Sequence, residues 1–152
     1  MPAVIGQPAP SFDLIDQGRN RVSLDDFKGK KTLVVFIPFP FTGNCDAEGC
    51  AIRDGLGELS DMDANVVVIT AHAVPTTAKW AEINSFEFPI LSDFWPHGAV
   101  SRAYGVFDED RGVATRSSFV LDADGTVRNI IATDSLAVAR EHEAHMEALA
   151  RI

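Results

Sequence analysis

The sequence has little of what marks several large classes of protein. Among its 152 residues are only two cysteines, Cys45 and Cys50, too few for a scaffold stapled by disulfides. If they matter, they matter as chemistry. No apolar run approaches the roughly 18 residues needed to span a bilayer. The start, Met1-Pro2-Ala3-Val4-Ile5-Gly6, lacks the basic and apolar regions of a signal peptide. The expected compartment is therefore the cytoplasm, with no membrane partner. Cations are scarce too: 13 Lys and Arg stand against 22 Asp and Glu, a formal charge of -9. Such a field repels phosphate backbones and anionic lipid surfaces, which argues against nucleic acid as a partner. No repeat, low-complexity tract or long linker divides the chain, so one domain over residues 1–152 is expected.

What is present reads as a globular α/β chain, 46% hydrophobic and 23% charged. Lys31-Thr32-Leu33-Val34-Val35-Phe36-Ile37 and Asn65-Val66-Val67-Val68-Ile69-Thr70 are continuous β-branched runs, the pattern of strands covered on both faces. The stretch between them, from about Asn44 to Ser60, has helical length, which makes a βαβ unit with a right-handed crossover. A helix from Pro75 to about Asn84 and a strand at Phe88-Pro89-Ile90-Leu91 continue the alternation. Residues 116–121 and 126–131 flank Asp122-Ala123-Asp124-Gly125, a turn that closes antiparallel hairpins. The sheet is expected to be mixed and flanked by helices. From about Ser135, Leu136, Ala139, His142, Met146 and Leu149 recur at helical spacing and predict an amphipathic terminal helix.

The sharpest feature is Pro38-Phe39-Pro40-Phe41-Thr42-Gly43-Asn44-Cys45, which leaves a buried strand and puts Cys45 in the first turn of a helix. Unpaired N–H groups and partial positive charge at a helix start favour a thiolate over a thiol. The exit from a central strand is also where α/β folds place their clefts. A thiolate that attacks a peroxide needs donors for the departing oxygen and shelter from side reactions. Thr42 Oγ and the helix-start N–H groups can supply donors, Pro38 can wall the pocket, and Arg116 at the start of a later strand can add a fixed positive charge.

Pro38, Thr42 and Cys45 match the peroxiredoxin signature P-x-x-x-T-x-x-C, and Arg116 in Arg-Ser-Ser-Phe stands where that family carries its second-strand arginine. Agreement extends through residues 6–12, Glu48, Trp80 and the stretch from Leu91 to Val100 followed by Ala103–Phe107. This last part resembles the AhpE (alkyl hydroperoxide reductase E) branch. The resemblance implies a thioredoxin-like fold and reduction of hydrogen peroxide, organic hydroperoxides or peroxynitrite. It implies no metal and no organic cofactor, and it often goes with a homodimer. A thioredoxin-, mycoredoxin- or glutaredoxin-type protein, or a low-molecular-weight thiol, would be the reductant.

The C-x-x-x-x-C spacing of Cys45 and Cys50 resembles instead the PrxQ/BCP branch, in which the later cysteine resolves the sulfenic acid. Five residues of intact helix separate the two by about 7.5 Å along the axis, beyond the roughly 7 Å that a disulfide bridges. A Cys45–Cys50 bond therefore needs the helix to unwind, and Gly49, Gly55 and Gly57 are expected to ease that step. Asp46 beside the thiolate would oppose its charge, its direction being open. A one-cysteine enzyme served by an external thiol and a peroxide-sensing relay use the same first step. Trp80, Trp95 and Tyr104 read as packing residues. His142 and His145 read as part of a solvated helix face, and His72 and His97 lack a hydrolase context.

Overall fold

Runs that are apolar at every position need cover on both faces, and here they form the middle of a sheet. The computed structural model describes residues 2–152. In chain order they form β1 (Asp13–Ile15), β2 (Arg21–Ser23), β3 (Lys31–Phe36), α1 (Gly43–Asp54), α2 (Leu56–Asp61), β4 (Ala64–Thr70) and α3 (Val74–Asn84). There follow β5 (Ile90–Ser92), α4 (Ala99–Tyr104), β6 (Phe107–Asp108), β7 (Val113–Ala114), β8 (Ser117–Leu121), β9 (Val127–Ala132) and α5 (His142–Ala150). Seven strands make one sheet in the order β2-β1-β5-β4-β3-β8-β9, and β6 pairs with β7 apart from it. β3 runs parallel to β4 and antiparallel to β8, so the sheet is mixed as expected.

Successive strand residues leave opposite faces, and the two faces carry two cores. Leu33, Val35, Val66, Val68 and Val120 pack with Ile52 of α1, Leu59 of α2, Trp80 of α3 and Leu149 of α5. Val34, Phe36, Val67, Ile69, Phe119 and Leu121 pack with Val100 and Tyr104 of α4 and with Phe12 and Leu24 near the N-terminus. Each fully buried side chain of this size contributes about 1.5–3 kcal/mol. The hairpin β8–β9 turns where expected: Gly125 takes φ 85°, and Asp122 Oδ1 accepts from the amides of Asp124 and Thr126.

Two helices differ from their expected extent. The single helix expected over 44–60 is broken at Gly55, which ends α1 and begins α2. A Cβ at Gly55 would lie 2.7 Å from His142 Nε2, so the break admits the terminal helix. The terminal helix itself begins at His142 rather than near Ser135. Leu136 and Ala137 instead give their carbonyls to Arg116 and Asn44, and the Arg140 amide donates to Glu48, so this stretch bonds across the fold rather than up a helix. Trp80 and Tyr104 are buried packing residues, but Trp95 is 80% exposed, against the packing role expected for it. Among the described residues no helix is long and apolar enough to cross a membrane.

Candidate active site

β3 delivers the chain to the site. After Phe36 the backbone continues extended far enough for the Ile37 amide to bond Ile69 O, and buried Pro38 then starts a turn through Phe41, which takes φ 71°. Thr42 is the N-cap of α1, yet its hydroxyl does not cap: Oγ1 donates to Phe39 O at 2.7 Å, bracing the turn instead. Cys45 is the third residue of α1, within the turn whose N–H groups lack helical acceptors. Its side chain is fully buried, 0% exposed. A groove of about 780 Å³ opens over the helix start, lined by Phe39, Thr42, Gly43, Asn44, Arg116 and Leu136, with Asp108 and Arg111 at its side. Cys45 does not line it, so a peroxide in the groove reaches sulfur only when a wall shifts.

Glu48 stands three residues beyond Cys45, on the same side of α1. Its Oε1 accepts from Arg116 Nη1 at 2.5 Å, and Arg116 Nε donates to Leu136 O. Arg140 Nε and Nη2 grip the two oxygens of the same carboxylate at 2.8 and 2.9 Å. All three side chains are buried. Burial raises the Glu48 carboxyl, but the Arg140 hydrogen bonds and the charges of both arginines outweigh it and hold the group below its ordinary value. One carboxylate against two guanidiniums leaves a net positive charge beside the helix turn that carries Cys45.

The structure thus brings Pro38, Thr42 and Cys45 together on one turn and joins Arg116 to it through Glu48. It does not bring Cys50 to Cys45. Both thiols are free, and both lie in unbroken helix. Asp46 accepts from Trp80 Nε1 at 2.6 Å, so its carboxylate is tied to α3. Gly49 has a packing reason of its own, since a Cβ there would meet Phe86 Cζ at 2.6 Å. With Gly55 facing His142, Gly57 is the one of these three glycines that faces open space.

Two expectations about histidine are corrected or refined. His145 is not on a solvated face: it is 3% exposed, with Nε2 2.9 Å from Ser118 Oγ. His142 packs against Gly55, and neither of its nitrogens has a partner. Both are drawn inward because α5 lies over α1 and β8. His72 and His97 are bonded to Thr70 Oγ1 and to the Gly112 carbonyl. Sequence reasoning missed Arg140, whose helical spacing hid a side chain buried by an ion pair formed over 92 residues of chain.

A braced cysteine turn on this sheet, backed by a buried arginine, suits the chemistry of a peroxide-reducing thiol. Over 125 residues the chain is 46% identical to alkyl hydroperoxide reductase E of Mycobacterium tuberculosis, covering 82% of each. It is 31% identical over 148 residues to a putative peroxiredoxin bcp of Haemophilus influenzae, covering 93% of each. The crystal structure of peroxidoxin BcpB from Mycobacterium tuberculosis matches with a TM-score of 0.85 at 29% identity, over 97% of this chain and 95% of that one. The protein is a thiol-dependent peroxidase with a thioredoxin-like fold. Residues 5–130 match the AhpC/TSA family, and the chain belongs to it.

Proposed function

We propose that this protein reduces hydrogen peroxide, organic hydroperoxides and peroxynitrite at Cys45, as one domain acting in the cytoplasm. The observation that carries the assignment is Cys45 in the first turn of α1, with the Arg116–Glu48–Arg140 cluster on the same helix turn. The Cys45 thiolate attacks one peroxide oxygen. The O–O bond breaks, sulfur keeps the attacked oxygen as sulfenic acid, and the departing oxygen leaves as water or alcohol after taking a proton, or as nitrite when the substrate is peroxynitrite. Arg116 and the helix-start N–H groups stabilise the charge on that oxygen, Thr42 braces the turn through its bond to Phe39 O, and Pro38 excludes water from one side.

Cys50 then attacks the sulfenic sulfur, releasing water and forming an intramolecular disulfide, and an external dithiol returns both thiols. A thioredoxin-, mycoredoxin- or glutaredoxin-type protein or a low-molecular-weight thiol fills that last role. The unbroken helix between the two cysteines favours a second reading, in which an external thiol or a relay partner meets the Cys45 sulfenic acid directly. Intact mass separates them after one equivalent of hydrogen peroxide is added to wild type, Cys45→Ser and Cys50→Ser. Loss of two hydrogens in wild type, with a trappable sulfenic acid only in Cys50→Ser, is the expected result. A sulfenic acid that persists in wild type selects the second reading, and an unmodified Cys45 removes the peroxidase assignment to this residue.

A further inference from the structure

The polar cluster behind Glu48 extends beyond the two arginines. Side chains two apart on a strand leave the same face, so Arg116 and Ser118 both project toward α1 and α5. Ser118 has no exposed surface, and its Oγ meets two partners: Arg140 Nη1 at 3.0 Å and His145 Nε2 at 2.9 Å. A guanidinium only donates. Ser118 Oγ therefore accepts from Arg140, and its own O–H is free to donate to His145 Nε2. The other ring nitrogen, Nδ1, has no partner. Burial first, then the charges of Arg140 and His142, push His145 down to about 3 against the opposing pull of Glu48. An apolar ring would fill the space without an orphan polar nitrogen. What the imidazole adds is its bond to Ser118.

Arg140 spends Nε, Nη2 and its backbone amide on Glu48. Nη1 alone reaches another element, and Ser118 receives it. The fork to Glu48 sets the plane of the guanidinium, and Ser118 fixes its remaining corner. We propose that Ser118 and His145 are positioning residues for peroxide reduction, fixing Arg140 so that Glu48 holds Arg116 at the groove over Cys45. The proposal rests on the reading of Cys45 as the attacking thiol. The order of influence runs from the His145–Ser118 pair to Arg140, Glu48 and Arg116. Neither Ser118 nor His145 touches the groove.

The test uses the full chain carrying Cys50→Ser, so that one thiol reacts, and adds Ser118→Ala, Ser118→Thr or His145→Phe. Two rates are measured: Cys45 oxidation by hydrogen peroxide and Cys45 alkylation by iodoacetamide. Alkylation breaks no O–O bond and needs no donor for a departing peroxide oxygen. Ser118→Ala should slow oxidation about tenfold, the loss expected for one hydrogen bond to a charged group, without slowing alkylation. Ser118→Thr, which keeps the hydroxyl, should restore oxidation to within about twofold, and His145→Phe should slow it in the same sense as Ser118→Ala. Oxidation unchanged in both Ser118→Ala and His145→Phe, or oxidation and alkylation falling together, overturns the proposal and leaves the pair a packing feature. Were one variant to fail to fold, the other would carry the comparison alone. If the Cys50→Ser parent is not oxidised at Cys45, the reading beneath the proposal falls, and the proposal with it.

Discussion

Glu48 holds two buried arginines at once, and that single carboxylate decides much of the local electrostatics. Removing one partner of a buried pair typically costs about 3–5 kcal/mol, because the charge left behind stays buried. His145, at the outer end of the same cluster, makes stability depend on pH. Its folded value of about 3 lies below the ordinary 6.5, so between the two the unfolded chain binds the extra proton. The stability tied to this residue is therefore complete above pH 6.5 and drains away as pH falls toward 3, by at most about 1.4 kcal/mol per pH unit. His72, lowered chiefly by burial, adds to the same window, and Glu48 adds a loss of the same sign at lower pH. Urea midpoints of wild type and His145→Phe from pH 4.5 to 7.5 check this. The variant should show a flatter acid slope, and equal slopes would contradict a neutral buried His145.

At the scale of the element, α1 has to be stable enough to hold Cys45 in its first turn and unstable enough to let Cys50 reach it. Its glycines were expected to supply the instability, yet Gly49 is required by the Phe86 ring and Gly55 by His142. A Gly49→Ala variant would therefore displace Phe86 as well as stiffen the helix, and it does not isolate opening. Trp80 gives a cleaner reading. Its indole is bonded to Asp46 at 2.6 Å and packs edge-on against Phe86 with centroids 4.8 Å apart. Unwinding α1 to join Cys45 and Cys50 pulls Asp46 away and admits water. In a Trp95→Phe background, peroxide should shift Trp80 emission to the red, and the shift should be absent when Cys50→Ser is added. Identical shifts with and without Cys50 would separate the emission change from disulfide formation.

For the molecule as a whole, the strongly negative surface and the exposed aromatic pair Phe94 and Trp95 point in different directions. Net charge of one sign opposes self-association, whereas an exposed large aromatic is what an interface covers. Trp95 stands in the loop after β5, beside His97, which bridges to the Gly112 turn next to the groove residue Arg111. A homodimer built through this loop should be lost on Trp95→Asp, with a sedimentation coefficient falling to that of one chain and the secondary structure unchanged. An unaltered dimer in that variant would move the interface to another face.

How much was legible in the sequence follows from the range of each interaction. The continuous runs at 31–37 and 65–70, the Asp-Gly turn and the turn into α1 are local patterns, and local patterns are read from neighbours in the chain. They sufficed for a mixed α/β sheet and for Cys45 at a helix start. The sequence read by itself therefore determined the class of the fold and that Cys45 stands at a helix start, because backbone preference and the charge at a helix N-terminus act over a few residues. Only the tertiary structure decided which side chains surround that residue. Arg140 reaches Glu48 across 92 positions and His145 reaches Ser118 across 27. The polarity of histidine suggested a solvated face, whereas His145 lies with Met146 and Leu149 on the side of α5 that packs into the core. Burial of a charge is settled by what lies opposite it, and that partner is fixed by packing between distant segments.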